Sequence, residues 1–260
     1  GGLMLGAIAG DMIGSVFEGN PLKSKDFPLF CEDSTFTDDT VLTVAVAHAI
    51  MTDGDYASAL KSFGLKYPRR GYGGFFQDWL ESSKSKPYNS WGNGSAMRVS
   101  PVGFAFDSVE EVLDEAKKSA EVTHNHPEGI EGAQATALAV FLARKGSEKN
   151  DIRNEIEGRF GYVLDRTVDK IRAAYTFDVS CIGSVPESII AFLNSKDYED
   201  TIRNAISLGG DSDTMACIAG GIAQAYYEDI PEEIIEEVRK ELSDELLDII
   251  DDFCSTYNLG

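Results

Sequence analysis

The 260-residue sequence is short of cysteine and of positive charge, and each shortage excludes a class of protein. Its 4 cysteines show no paired spacing, so a disulfide framework is absent and we expect reduced thiols in a cytoplasmic protein. Only 23 basic side chains stand against 44 acidic ones, and the net charge of -21 argues against a nucleic-acid partner. No apolar stretch is long enough to cross a membrane, and no charged-then-apolar leader is visible.

The sequence also lacks the apolar–polar alternation of β-strands and any internal repeat, whereas helical spacing of apolar residues is frequent. A chain of this length can bury a large core as one large domain or two small ones. We predict a single all-α domain over residues 1–260, folded as a compact orthogonal helical bundle. The predicted helices are 4–16, 37–51, 56–66, 109–121, 130–144, 148–160, 166–175, 185–193, 198–207, one from the turn at 211–214 to 227, and one or two within 230–255.

One motif joins carboxylates and hydroxyls to the start of a helix: Gly209-Gly210-Asp211-Ser212-Asp213-Thr214. The helix that follows, to Tyr227, is built from small apolar residues nearly all round, so we expect it to be buried at the centre of the domain. Glycine and alanine on its surface would let neighbouring helices approach closely. A simple Asp or Ser N-cap would also account for the motif.

A second motif, Thr37-Asp38-Asp39-Thr40, repeats this chemistry at the start of another apolar helix. If the two N-termini face each other, they offer an all-oxygen ligand set of the kind that binds Mg²⁺ or Mn²⁺. Converging carboxylates without a cation would repel one another and be forced to take up protons. A dinuclear metal site is therefore our hypothesis, and its ligands would be Thr37, Asp38, Asp39, Asp211, Asp213 and Thr214.

Acidic residues and glycine-rich loops elsewhere have both a functional and a structural interpretation. Asp11 interrupts the first apolar helix and Glu18 follows its end, where single acidic residues are usually satisfied or solvated. The loops 69–74 and 91–98 contain glycines that allow close backbone approach to a ligand. The second loop could cradle phosphate oxygens, although it lacks the Walker pattern. The first could equally be a plain connection.

His124 lies in the segment Thr123-His124-Asn125-His126, whose His-x-His spacing suggests part of a zinc site. No cysteine or third histidine is nearby to complete such a site. Contact with a ligand and a structural role both remain open for His124.

In their order along the chain, these motifs resemble the ADP-ribosylglycohydrolases, and in particular the dinitrogenase reductase-activating glycohydrolases. The resemblance runs from about Leu5 to Tyr227. The matching motifs are Gly10-Asp11-Met12-Ile13-Gly14-Ser15-Val16-Phe17-Glu18, Thr37-Asp38-Asp39-Thr40, Arg70-Gly71-Tyr72-Gly73, Gly92-Asn93-Gly94-Ser95-Ala96-Met97-Arg98, Thr123-His124 and Gly209-Gly210-Asp211-Ser212-Asp213-Thr214. The resemblance implies an all-α fold with a dinuclear Mg²⁺ or Mn²⁺ centre in a cleft.

The resemblance also implies roles for individual residues. It implies the six metal ligands named above and a movable segment that carries Glu18 beside the metals. We expect Asp38 or Asp39 to position or deprotonate a water, and Glu18 to gate the site or assist proton transfer. The residues expected to contact ADP-ribose are Gly71, Tyr72, Gly73, Asn93, Gly94, Ser95 and His124. Because ADP-ribose is anionic and the chain is acidic, the metals, helix N-termini and Arg70 or Arg98 must reverse the field locally.

The implied activity is hydrolysis at ribose C1″ of ADP-ribosylated protein side chains of the Arg or Ser type, which releases ADP-ribose. Such cleavage passes through an oxocarbenium-like state, for which paired carboxylates are usual. Two alternatives stay open: hydrolysis of a small conjugate such as O-acetyl-ADP-ribose, and non-catalytic binding of ADP-ribose. The intact acidic motifs count against the second. We expect a monomer.

Overall fold

A computed structural model of the chain describes residues 4–257, so the outermost residues of the predicted domain, 1–3 and 258–260, lie outside the described part. Within it, the chain forms fifteen α-helices and a 3-10 helix, Ser15–Phe17, with no β-strand. The all-α prediction is confirmed. The helices are α1 (Leu5–Gly14), α2 (Asp38–Met51), α3 (Tyr56–Lys66), α4 (Gly74–Glu81), α5 (Gly94–Met97), α6 (Ser100–Ala105), α7 (Val109–Glu121), α8 (Pro127–Arg144), α9 (Lys149–Phe160), α10 (Val168–Ala174), α11 (Cys181–Leu193), α12 (Tyr198–Ser207), α13 (Ser212–Tyr227), α14 (Glu232–Glu241) and α15 (Asp244–Thr256).

Helix α13 is the central element of the fold. Its residues are buried from Ser212 to Ala225, and α1, α8, α11 and α12 all pack against it. This burial confirms the prediction made from its small-residue composition. The closest approach is to α1: a Cβ added at Gly10 would lie 2.1 Å from the carbonyl oxygen of Ala216. Glycine therefore sets the distance between α1 and α13.

Helix α2 brings the second acidic motif next to α1 and α13. It packs against α1, α3, α6, α13 and α15, and its residues are buried almost throughout because they are apolar on nearly every face. Thr37 is its N-cap: the Thr37 side chain accepts a hydrogen bond from the backbone N–H of Asp39. The acidic first turn of α2 is thereby held in the interior.

The boundaries of most predicted helices agree with the apolar spacing, but α8 and α11 start three and four residues early, and the short helices α4, α5 and α6 lie outside the predicted ranges. Helix α4 was not predicted, because the glycines before it indicate a loop; Phe76, Trp79 and Leu80 nevertheless form a buried face. Helix α11 starts four residues before the predicted 185, where Ser180 caps it by accepting from the N–H of Gly183. Gly183 and Pro186 disfavour a helix, so this start is difficult to predict from the sequence.

All four cysteines are free thiols; Cys31 is exposed, and the other three are buried. None of the helices in residues 4–257 has the length and apolar character needed to cross a bilayer.

Candidate metal centre and adjoining cleft

The two acidic helix N-termini lie against each other, as the repeated motif predicts. The Thr214 hydroxyl at the start of α13 donates to Asp39 Oδ2 of α2 at 2.8 Å. Thr37 Oγ1 lies 3.4 Å from Asp213 Oδ2. Asp211 lies just before α13 and Asp38 just inside α2, so all six predicted ligand residues come from these two N-termini.

The carboxylate oxygens at this junction outnumber the hydrogens available to them. Thr37 Oγ1 lies 2.6 Å from Asp11 Oδ1 and 2.7 Å from Asp39 Oδ1, yet a hydroxyl has one hydrogen to donate. Asp11, Asp39 and Asp213 each have an oxygen within 4.8 Å of the others. Asp213 also belongs to a second such group, with Glu18 and Asp211. Two overlapping all-oxygen groups suit hard divalent cations.

Crowding and burial disturb the titration of these carboxyls. Burial, with the charge of Asp39, raises the pKa of Asp11 to about 8. Burial raises the pKa of Asp211 to about 6, with further contributions from Asp39 and Glu18. The pKa of Asp213 is raised well above its ordinary value, by burial first and then by Asp39 and Asp211. Positive charge must therefore reach the cluster as protons or as a cation, and the donor set fits a divalent cation.

Asp38 and Glu18 lie where the acidic cluster opens into a cleft, and both line it. Asp38 is half-buried, and its pKa is raised well above the usual range by burial, Asp39 and Asp11. Glu18 is exposed and directly follows the 3-10 helix after α1. Its pKa is raised by partial burial and by the charge of Asp39. Both carboxyls are accessible to a ligand in the cleft.

The cleft extends from these carboxylates to an aromatic end and has a volume of about 520 Å³. Such a volume lies within the range of small-molecule sites. At the aromatic end, the Phe75 and Tyr88 rings stack with centroids 6.0 Å apart, and Trp91 is 49% exposed. An exposed Trp beside stacked rings offers an apolar surface for a planar group.

Glycines from both glycine-rich loops line the same cleft. Gly71 has a φ of +93°, a conformation that strongly favours glycine, and the neighbouring Arg70 carbonyl accepts from the N–H of Asp38 at 2.8 Å. Asn93 also lines the cleft, and its Nδ2 donates to Asp211 Oδ2 at 3.0 Å. The second glycine loop is thus connected directly to the acidic cluster.

The side chains of Tyr72 and Ser95 do not line this cleft. Tyr72 stacks on Phe76, with ring centroids 5.6 Å apart, and its hydroxyl donates to the Tyr67 carbonyl. Ser95 is fully buried and donates to the Gly129 carbonyl at 2.7 Å. Among the residues predicted to contact ADP-ribose, the cleft is lined by Gly71, Gly73, Asn93, Gly94 and His124.

Arg70 or Arg98 is expected to face an anion, and of the two Arg98 is among the residues that line the cleft. Arg70 is engaged elsewhere: its Nη1 donates to Thr35 Oγ1 and the Phe36 carbonyl, and its guanidinium stacks 3.7 Å from the Phe36 ring. A guanidinium held by these contacts supports the loop rather than a ligand.

Asp11 is a member of the acidic cluster that the sequence did not place at a site. Its buried carboxylate accepts hydrogen bonds from the backbone and hydroxyl groups of both Thr37 and Thr40. These four bonds anchor the first turn of α2 to α1. The signal available in the sequence was an acidic residue within an otherwise apolar helix. A buried acidic group requires hydrogen-bond donors as partners.

Comparison with known proteins identifies a family for the whole chain. The family model described as ADP-ribosylglycohydrolase matches residues 1–259. ADP-ribosylhydrolase ARH3 of Mus musculus is 28% identical, over 89% of this chain and 85% of its own. ADP-ribosylarginine hydrolase Tri1 of Pseudomonas putida (strain GB-1) is 24% identical, over 87% of this chain and 70% of its own. A solved ADP-ribosylglycohydrolase-related protein complex has the same fold, with a TM-score of 0.76 at 23% identity, over 99% of this chain and 96% of that one.

Proposed function

The chain belongs to the ADP-ribosylglycohydrolase family, and from this premise we propose that it is a Mg²⁺- or Mn²⁺-dependent hydrolase of ADP-ribosylated protein side chains. It would cleave the bond at ribose C1″ and release ADP-ribose. Membership of the family, with relatives named as ADP-ribosyl hydrolases, supports hydrolysis of an ADP-ribose bond in general. The observation that carries the proposal is the continuity of the acidic cluster with a cleft that ends in exposed aromatic rings.

The acidic cluster would hold two divalent cations. The oxygens within 4.8 Å of one another support this part of the proposal, because they cannot all be satisfied by the hydrogens present. When bound, such cations neutralise the carboxylates, orient the hydroxyls of the substrate ribose and lower the pKa of a water. The proposed ligands are Thr37, Asp38, Asp39, Asp211, Asp213 and Thr214. Of these, Asp39, Asp211 and Asp213 belong to the two groups of close oxygens, which also contain Asp11 and Glu18.

Carboxylates of the chain would handle the protons of the reaction. Asp38 or Asp39 would position a water or take its proton, and Glu18 would gate the cleft or assist proton transfer. Burial and the charge of Asp39 raise the pKa of both Asp38 and Glu18, and shifts of this kind are common among groups that take part in acid–base catalysis. Both residues also line the cleft, where a substrate can reach them.

The rest of the cleft would bind the remainder of ADP-ribose. The glycines at 71, 73, 92 and 94 admit close approach by a ligand, since no side chain lies between it and the backbone. The rings of Tyr88 and Trp91 supply an apolar surface for a purine base. With the base at the aromatic end, the distal ribose would lie against the acidic cluster.

Incubation with defined substrates tests the proposal. Arginine-linked and serine-linked ADP-ribosyl peptides and O-acetyl-ADP-ribose would each be supplied with Mg²⁺, Mn²⁺ or excess EDTA, and free ADP-ribose would be measured. We expect release from a peptide with a divalent cation and none in EDTA. Release from O-acetyl-ADP-ribose alone would identify a hydrolase of small conjugates. Binding of ADP-ribose with no release from any substrate would identify a non-catalytic binder.

A further inference from the structure

His124, at the cleft wall, is connected through Thr123 to the buried guanidinium of Arg98. We propose that Arg98 and Thr123 are positioning residues that hold His124 as its Nε2–H tautomer, a hydrogen-bond donor directed at an anionic group in the cleft. The inference rests on the proposed function only for the identity of that group, the diphosphate of ADP-ribose.

The direction of the hydrogen bonds follows from the chemistry of the groups. Arg98 Nη2 donates to Thr123 Oγ1 at 2.8 Å and to the Ser119 carbonyl at 2.7 Å, since a guanidinium has no acceptor. Thr123 Oγ1 lies 2.6 Å from His124 Nδ1 and 3.4 Å from the Ala120 carbonyl, and the Tyr88 side chain also interacts with it. Because Oγ1 already accepts from Arg98 and Nδ1 is its nearest acceptor, we assign the Thr123 hydroxyl hydrogen to Nδ1.

A neutral imidazole that accepts at Nδ1 must carry its hydrogen on Nε2. Burial, with the charge of Arg98, holds the pKa of His124 well below its usual range, so the ring is neutral at physiological pH. Tyr88, whose ring centroid lies 5.8 Å from that of His124, adds no charge, because burial raises its pKa to about 12.

The Nε2–H of His124 faces the glycine loop of the cleft. A Cβ added at Gly94 would lie 3.0 Å from Nε2, and one added at Gly92 would lie 3.9 Å away. No group of residues 4–257 accepts a hydrogen bond from Nε2, although Nδ1 is occupied by Thr123. The acceptor must therefore come from a ligand in the cleft.

The charge of Arg98 explains why that ligand should be an anion. The Arg98 side chain is fully buried, and burial lowers its pKa only to about 10, so it remains a cation. Its Nε and Nη1 have no partner, and no carboxylate in the described part of the chain forms an ion pair with it. A buried cation without a counter-ion is costly, and a bound anion in the adjoining cleft would offset that cost.

Nitrogen NMR tests the tautomer directly in the free protein. In ¹⁵N-labelled wild type at neutral pH, we expect His124 Nδ1 to show the shift of an unprotonated ring nitrogen and Nε2 that of a protonated one. Thr123→Val removes the hydroxyl with little change of shape and should release the ring into a mixture of tautomers. Thr123→Ser keeps the hydroxyl and should preserve the wild-type pattern. A proton on Nδ1 in the wild type would overturn the inference.

Calorimetry then tests whether the Nε2–H of His124 is directed at the anionic group of a ligand, with ADP and adenosine as probes. A hydrogen bond to a charged group is worth enough that Thr123→Val should weaken ADP binding by about 10-fold or more and leave adenosine binding unchanged. Thr136→Val is the matched control, since Thr136 is also buried and its hydroxyl has no partner. A merely structural role would weaken both ligands equally, and that result, or failure of the wild type to bind ADP, would overturn the inference. Tight ADP binding without hydrolysis of any conjugate would overturn the proposed function alone.

Discussion

At the scale of single residues, the acidic cluster depends on shared oxygens, so no one carboxylate can be replaced without leaving its neighbours unsupported. Asp213 is the clearest case, because both candidate ligand groups include it. Asp211 is a member of one group and also accepts from Asn93 of the glycine loop. Loss of either residue should therefore affect metal affinity as well as the arrangement of the cleft.

We predict that Asp213→Ala and Asp211→Ala each abolish Mg²⁺-dependent release of ADP-ribose. Loss of a residue that only supports a metal ligand costs about 10–100-fold in affinity or activity, so loss of a ligand should cost at least that. The measurement is turnover over a Mg²⁺ titration. Asp151→Ala, at an exposed position on α9, is the control and should match the wild type. Full activity in either site variant, or in excess EDTA, would contradict the metal mechanism.

Glu18→Gln keeps the shape of the side chain and removes its charge and its proton transfer. Acid–base assistance is typically worth about 10²–10⁴-fold, so turnover should fall by roughly that factor. Affinity for ADP-ribose should hold or improve, because one negative charge beside the cleft is lost. Turnover and calorimetry on the same protein measure the two effects.

Glu32→Gln, an exposed position outside the cleft, is the matched control for the charge change at Glu18. If Glu18→Gln turned over normally, Glu18 would be only a solvated helix end. Equal losses of turnover and affinity would instead make it a binding residue.

The sequence could suggest that the two acidic motifs lie together, whereas it could not give the directions of the side chains in the loops. Hydroxyls and carboxylates at two helix starts converge because each helix is buried and its N-terminus is fixed by packing. Tyr72 and Arg70 belong to an irregular loop. The Tyr72 ring stacks on Phe76, in the helix that follows, and the Arg70 guanidinium stacks on Phe36, which lies 34 residues earlier. The role of Asp11 required knowledge that α1 lies beside the first turn of α2.

At the scale of elements, the contact between α1 and α13 determines how the acidic cluster is built. Helix α1 carries Asp11 and α13 carries Asp213, and glycines let the two helices approach closely. Any increase in their separation would therefore move two carboxylates apart.

Gly10→Ala should destabilise the protein by about 1–3 kcal/mol or more, because its Cβ would lie 2.1 Å from the Ala216 carbonyl oxygen in a packed interface. It should also weaken Mg²⁺ binding. Gly158→Ala, in α9 with open space around it, is the control and should stabilise by up to about 1 kcal/mol, since alanine favours a helix. Urea unfolding with and without Mg²⁺ measures both, and an unchanged midpoint in Gly10→Ala would contradict the packing argument.

Helices with a long apolar stripe could be predicted because burial and periodicity agree. Helix α3 has the predicted bounds, and in α7 the buried positions Val112 and Ala116 are four residues apart. Helix α4 could not be found, since its buried face is short and its first residue is glycine. It packs against α3 in the structure.

At the scale of the whole molecule, the raised pKa values predict how stability depends on pH without metal. A carboxyl whose pKa is raised by folding stabilises the protein below the pKa of the unfolded chain, about 4, and this contribution is lost as pH rises through the folded value. The folded values of Asp211 and Asp11 are about 6 and about 8. In EDTA, the melting temperature should therefore fall between about pH 5 and pH 8.

Saturating Mg²⁺ should remove most of this fall, because a bound cation favours the ionised carboxylates, so the gain in melting temperature should grow with pH. Asp213→Asn is the control, because it removes one titrating carboxyl from the cluster and leaves His124 in place. The lowered pKa of His124 makes stability depend on pH in the opposite direction, so the comparison separates the two contributions. Melting curves in EDTA and in Mg²⁺ at each pH measure the difference. If the melting temperature changed with pH by the same amount in EDTA and in Mg²⁺, a cation site in the cluster would be contradicted.

The contact between Thr214 and Asp39 joins positions 175 residues apart in the chain. Synthesis proceeds from the N-terminus, so α1 and α2 leave the ribosome long before the helix that covers them. Until α13 has emerged, the glycine face of α1 has no partner and the carboxylates of α2 have only part of their surroundings. The chain therefore cannot complete its core during most of its own translation, and a product cut short before residue 212 would lack the central helix and, with it, Asp213 and Thr214 of the acidic cluster.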